Sequence, residues 1–461
     1  MWNVQVVLTS IFVIFCGIVF RLVALNVKDP FIDEIFHLRQ CQTYCALRFD
    51  IWDHKITTPP GLYILGMVYA EVVKRITFTS ESLVSVCENM NVLRSANLFG
   101  GLVVLPLIVQ GLVEKEKPQF WTVNIVAMPL LFTYYFLFYT DIWASILIVA
   151  SLALVVRQPL GLITSSYISG IIAFASLWFR QTNIIWIAFI ASLLVDKRRR
   201  EHHNDMGFVQ NGINFIRQAV KDWVAVLPFI SNIILFAIFV KYNEGITFGD
   251  KENHKLNLHI VQVFYCFTFM SMFTWPVWLS IRLIKRYIHF TILGNYGLNT
   301  IFTIGSGILI KFIIDNYTVV HPFLLADNRH YTFYIWKRIL NREYSNIFMI
   351  PIYHFCTWNI IDSLSHNIGG LTPITIITFI GGIFITIIPS PLFEPRYYIV
   401  PLLIYRLYVR PTKEKVFGIS ISRHALEFFW FMMVDVAITV IFLCYEFTWF
   451  SEPGKIQRIV W

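Results

Sequence analysis

Asp33, His37, Gln40 and Tyr44 recur at i, i+4, i+7 and i+11, so a helix would put them on one face. Asp29 is placed to cap that helix with Pro30 in its first turn, and Ile32, Ile35 and Phe36 form its apolar stripe. The segment reads as an amphipathic juxtamembrane helix offering a carboxylate and an imidazole together; an interfacial helix with a solvated polar face is the structural alternative. Asp33, Glu34 and His37 carry oxygen and nitrogen ligands, but no second cluster at metal spacing accompanies them, and no metal is expected. Arg180, beside Gln181 and Asn183 at the end of an apolar run, has the planar fork that clamps phosphate, although a lone Arg there also simply snorkels. Residues 324–334, which include Asp327, Arg329 and His330, mix aromatic and polar side chains as a surface for stacking sugar rings does, with an aromatic belt as the rival. Arg396 lies near Glu394, and a structural ion pair is its alternative.

These groups punctuate an unusually apolar chain. Of 461 residues 57% are hydrophobic and 14% charged, against about 25% charged in soluble proteins, so the fold class is an all-α polytopic membrane protein. Apolar stretches at 4–25, 92–113, 120–139, 142–156, 160–179, 184–195, 223–240, 259–281, 292–314, 344–361, 371–388, 397–408 and 428–449 imply about 13–14 transmembrane helices in one domain, 1–461. Residues 61–73, opened by Thr58 as N-cap and Pro59-Pro60, read as a helix lying on the membrane. The 4–25 run lacks a basic n-region and a cleavage site and reads as a retained signal anchor.

The net charge of +9 sits between apolar runs, where it orients the chain in a bilayer; nucleic acid is not an expected partner. Basic tracts at 197–200, 282–286 and 410–415 are separated by even numbers of spans and are assigned to the cytosol. That makes 196–222 a cytosolic basic loop. It also puts the first loop, 26–91, and the polar-aromatic loop, 315–343, in the lumen, together with Asp53, Asp141, Lys251, His254 and Arg396. The seven cysteines cannot all pair internally; for Cys41 and Cys45, four apart, packing is expected over a disulfide or a metal pair. No phosphate-binding glycine loop, zinc-protease motif or internal repeat is present.

Five blocks carry a resemblance: Asp33-Glu34-Ile35-Phe36-His37; Trp52-Asp53 with Ile56-Thr57-Thr58 and Pro60-Gly61-Leu62-Tyr63; Tyr139-Thr140-Asp141; Phe179-Arg180-Gln181-Thr182-Asn183-Ile184-Ile185-Trp186; and 324–334 followed by Trp336-Lys337-Arg338. The sequence resembles the dolichyl-phosphate-glucose-dependent alpha-1,2-glucosyltransferases, departing where Arg39 and Pro59 stand in place of proline and leucine. The resemblance implies a GT-C glycosyltransferase fold in the endoplasmic reticulum membrane with a luminal site. The implied partners are a dolichyl-phosphate-glucose donor, a lipid-linked oligosaccharide acceptor and membrane lipid, with no cofactor. It implies inversion at the anomeric carbon, which calls for one base and a cationic cradle for the phosphate. It puts the base at Asp33, with Glu34 and then Asp53 as understudies and His37 orienting it. Arg180, Lys251, His254, Arg329 and Arg396 are candidates for the cradle, Asp141 and Gln181 for sugar hydroxyls, and Asp327 and His330 for further substrate contacts. Another dolichyl-phosphate-dependent GT-C transferase is the nearest rival. A lipid-sugar transporter is the other, although its polar groups would gather at the midplane of repeated halves.

Overall fold

Long apolar runs without breakers satisfy their own backbone groups only as helices, the one solution besides a closed barrel that hydrocarbon permits. A computed structural model of the protein describes residues 2–112, 120–203, 207–366, 371–413, 422–450 and 452–461, and among them the sole sheet is a two-stranded hairpin. Five of the described helices are long and apolar enough to cross a membrane: Val4–Asn26, Met90–Gln110, Trp223–Asn243, Leu298–Tyr317 and Arg423–Cys444. The chain is an all-α, multi-pass membrane protein.

Several stretches differ from the sequence reading. Residues 120–139 form no single span: Thr122–Val126 and Pro129–Tyr134 are short separate helices. Pro129 disfavours helix in the residue before it, and the carbonyls of Leu137 and Tyr139 are taken by Asn97 Nδ2 at 2.7 and 2.8 Å. The 259–281 stretch breaks at Thr274-Trp275-Pro276, and its last residue opens a separate basic helix, Ile281–Ile288. The last span ends at Cys444, and Phe447–Trp449 is a strand paired antiparallel with Glu452–Gln457. Residues 61–73 are helical within Gly61–Ile76, but Pro60 holds the capping position and Thr58 does not cap it. The described part of 196–222 is mostly helical. The 197–200 tract lies on helix Asn183–His202, and a further helix, Phe208–Lys221, follows.

The helices pack into two compact units, Met1–Val113 with Leu130–His254, and Glu114–Pro129 with Lys255–Trp461. In the second unit a buried ion pair joins Arg406 to Glu427, whose other oxygen also accepts from Asn124 Nδ2 at 2.7 Å. In the first, helix Glu34–Cys45 begins at Asp33 rather than Asp29, and its His37, Gln40 and Tyr44 face inward with Leu38, Cys41 and Cys45. The polar stripe is therefore a buried face, not a solvated one. It is stapled at its far end by a disulfide from Cys45 to Cys87 in helix Leu83–Glu88, while Cys41 is a free, buried thiol. Periodicity offered Cys45 only a partner on its own helix, and the true partner comes from across the first loop.

With the cysteines 42 residues apart in sequence, loop closure is worth about 4 kcal/mol to the folded state. Replacing both with Ser should lower the thermal midpoint of the detergent-purified protein as much as replacing either one. Mass spectrometry after alkylation should count two more reactive thiols on unfolded protein with reductant than without; equal counts would remove the staple.

Candidate functional site

The turn between the first helix and Glu34–Cys45 is built around one carboxylate. Glu34 is fully buried, and Arg94, also fully buried, grips it with both arms of its guanidinium, Nε to Oε1 at 2.8 Å and Nη2 to Oε2 at 2.6 Å. The same carboxylate accepts from the backbone N–H of Phe31 at 3.1 Å and of Phe138 at 2.9 Å, and Arg94 Nη1 donates to the Val27 carbonyl at 2.9 Å. Three chain segments are thus tied at one point. Arg94 escaped the sequence reading, although a lone cation near the start of an apolar run at 92–113 is a signal for a buried partner.

Asp33, one residue earlier, is only partly buried. Its N–H donates to Tyr139 Oη at 3.1 Å, and Tyr139 donates to the Phe31 carbonyl at 3.2 Å. The preceding Ile32 sits at φ +52°, where a β-branched side chain costs of order 1–3 kcal/mol; the Glu34 anchor holds it there. His37 is buried, shares a 2.9 Å hydrogen bond between Nδ1 and Tyr63 Oη, and meets the Tyr139 ring edge-on. Burial pushes the Tyr63 phenol well above its ordinary pKa, so it keeps its proton.

The other expected residues of the first unit are held by bonds to this helix, to the first loop or to one another. Gln40 accepts from the Asp53 N–H at 2.9 Å and donates to the Ile51 carbonyl at 2.7 Å. Gln181 donates to the Thr57 carbonyl at 2.7 Å, and the same carbonyl accepts from Phe248 N–H. Asp250 N–H donates to the His54 carbonyl, and between them Gly249 passes so close that a Cβ would stand 2.1 Å from that oxygen. The Gly249–His254 turn is thereby held against the first loop; His254 Nδ1 lies 3.4 Å from Asp250 Oδ2 and exposed Lys251 reaches the Asn243 carbonyl. Arg180 pairs with Asp141 at 2.8 Å, Nη2 to Oδ1, at the start of helix Asp141–Arg157. Asp141 Oδ2 is buried with no hydrogen-bond partner among the described residues.

Asp327, Arg329, His330 and Arg396 belong to the second unit. Arg329 holds Asp327 with two parallel bonds, Nε to Oδ1 at 2.9 Å and Nη2 to Oδ2 at 2.7 Å, with His330 Nε2 3.8 Å away. Burial alone would raise the Asp327 pKa, but the Arg329 fork outweighs it and holds the carboxyl below its ordinary value. The guanidinium stacks 4.4 Å from the Trp449 ring, and the Val460 N–H donates to the Arg329 carbonyl at 2.7 Å, so the C-terminal hairpin and tail form one wall of this loop. Nothing in the local sequence signals that wall. Arg396 is paired with Glu394, and among the described residues no three His, Cys, Asp or Glu side chains group as metal ligands.

The DIE2/ALG10 family profile matches residues 27–407, a span that holds every site residue above except the C-terminal wall. The chain belongs to the DIE2/ALG10 family. A Candida albicans relative named Dol-P-Glc:Glc(2)Man(9)GlcNAc(2)-PP-Dol alpha-1,2-glucosyltransferase is 47% identical over 95% of each chain. A human protein of the same name is 30% identical over 98% of each, and one from Kluyveromyces lactis is 36% identical over 97% of this chain and 87% of its own. No solved structure matches. What the DIE2/ALG10 chain presents physically is one partly exposed acid, Asp33, beside one whose carboxylate is wholly engaged, Glu34.

Arg94→Met would leave the buried Glu34 charge uncompensated and should destabilise the protein by about 3–5 kcal/mol. An apolar replacement of both, Glu34→Leu with Arg94→Met, should recover only part of this, because the Phe31 and Phe138 N–H groups stay unpaired at about 1–3 kcal/mol each. Full recovery in detergent unfolding would show that the carboxylate does not tie those two segments.

Proposed function

We infer that this protein is an inverting glucosyltransferase of the endoplasmic reticulum membrane. It moves glucose from dolichyl-phosphate-glucose to Glc(2)Man(9)GlcNAc(2)-PP-dolichol, forming the terminal alpha-1,2 linkage. Near full-length kinship to relatives carrying that name is the observation that supports the activity. The site faces the lumen. The Cys45–Cys87 disulfide in the first loop supports that orientation, because disulfides persist in oxidising compartments and not in the cytosol.

Asp33 is the base of this reading. The acceptor hydroxyl gives its proton to Asp33 as its oxygen attacks the anomeric carbon from the face opposite the phosphate. The bond from that carbon to the phosphate oxygen breaks, and dolichyl phosphate leaves. A phosphate is a weak base, so no acid need protonate it, and cations suffice to stabilise its charge. The four hydrogen bonds on Glu34 favour Asp33 over it as the base, and in this reading His37, turned to Tyr63, keeps the helix face in place. Lys251 and His254, on the turn held to the first loop, are the residues proposed to hold the phosphate. Arg180 orients Asp141, whose second oxygen is an acceptor for a sugar hydroxyl; Gln181 and Asp53 shape the loop through backbone bonds. In the second unit, the Asp327, Arg329 and His330 cluster with Trp449 is a sugar-stacking surface in this reading, and Arg396 is structural.

Asp33→Asn should lower turnover about 10²–10⁴-fold with donor binding and thermal midpoint unchanged, measured on purified enzyme with defined acceptor. Glu34→Gln should instead lower the midpoint. A normal rate for Asp33→Asn beside a folded, inactive Glu34→Gln would transfer the role to Glu34. Turnover should also survive EDTA; loss with rescue by magnesium or manganese would turn Asp33 and its neighbours into metal ligands.

A further inference from the structure

Helix Phe208–Lys221 is inverted with respect to water. Asn211, Asn214 and Gln218 are its buried residues, whereas Val209, Ile213, Ile216 and Val220 are 74, 41, 65 and 69% exposed. The apolar four lie at i, i+4, i+7 and i+11 and the polar three at i, i+3 and i+7, which at 100° per residue are opposite faces. The polar face is fastened to the end of helix Asn183–His202: fully buried Arg199 pairs with Asp196 at 2.9 Å and donates to Asn211 Oδ1 at 3.1 Å. Gln218 and Arg198 both donate to Asp222 Oδ2, at 2.6 and 3.2 Å. These bonds fix the helix with its apolar stripe outward. Large aliphatic side chains gain by leaving water, so the stripe calls for an apolar solvent.

We propose that this helix lies in the membrane interface, its apolar stripe in the acyl chains on the side of the 197–200 tract. Three features select a bilayer over a protein partner. The helix is separated by the single residue Asp222 from Trp223–Asn243, a membrane-crossing helix that opens on a 59% exposed Trp223, the side chain that favours the headgroup level. Exposed Arg217 and Lys221 stand on one flank of the stripe, where cations meet lipid phosphates. The crossing helix itself also presents Ile230, Ile234 and Ile238 outward, so both helices expose apolar side chains on either side of Asp222.

The test uses the full-length protein carrying Cys444→Ser, since Cys444 is the exposed free thiol among the described residues. Single cysteines at Val209, Ile213, Ile216, Arg217, Val220 and Lys221 are labelled with an environment-sensitive fluorophore and reconstituted into phosphatidylcholine and phosphatidylglycerol vesicles. Retained glucosyl transfer selects folded variants, and size-exclusion behaviour replaces that check if the activity assignment fails. Quenching by lipid-attached nitroxide should peak at 209, 213, 216 and 220, and quenching by aqueous iodide should peak at 217 and 221. Iodide quenching of the stripe positions would overturn the proposal in favour of an exposed helix. Protection of those positions from both quenchers would overturn it in favour of a contact with a second protein or copy.

Discussion

The bond between Arg94 and Glu34 is the constraint on which the candidate site depends. Two charges removed from water are expensive, and a buried pair seldom adds much stability over apolar residues of the same volume. What this one supplies is position: the Glu34 carboxylate spends all its acceptor capacity on Arg94, Phe31 and Phe138, and so pins the turn at 27–34 to helix Met90–Phe99 and to the segment before Asp141. Asp33 inherits its place from that anchor. Adjacent acids on one helix have opposite fates, one a structural knot and the other left partly open.

Much of the fold was legible because hydrophobic runs of helix length have few other options in a membrane. Asp141–Arg157, Leu162–Leu177 and Trp223–Asn243 fall within a few residues of the apolar stretches at 142–156, 160–179 and 223–240. The failures share a cause. At 120–139 the run is apolar enough to span, but Pro129 and the Asn97 amide compete for the backbone, and such tertiary competition leaves no mark in local hydropathy. The basic residues at 197–200 read as a loop because charge usually marks one; here Arg199 is a buried brace.

For the site, several residues singled out in the sequence lie in the first unit and are linked through backbone groups of the first loop: Gln40 to Asp53, Gln181 to Thr57 and the 249–254 turn to His54. Their roles were less legible. Gln181 and Gln40 spend their amides on backbone carbonyls and N–H groups, Arg180 is matched to Asp141, and Arg329 to Asp327. Pairings of this kind are three-dimensional facts, and a single sequence shows each partner only as an isolated polar residue near a span end.

The wall that Trp449 and the tail lend to the 327–331 loop sets an order of events during synthesis. His330 and the carbonyl it bonds at Trp461 are 131 residues apart, which a ribosome adding about 5–20 residues per second traverses in about 7–26 s. Arg329 gains the Trp449 ring and then the Val460 N–H only near the end of that interval, and the loop must wait unfinished for them. Both cysteines of the Cys45–Cys87 staple, 42 residues apart, are made before any of that stretch, so its oxidation need not wait for the tail. The first unit can therefore be locked while the second is still being made, and a chaperone or oxidase meeting the nascent chain encounters a half-finished enzyme whose acid helix is already in place.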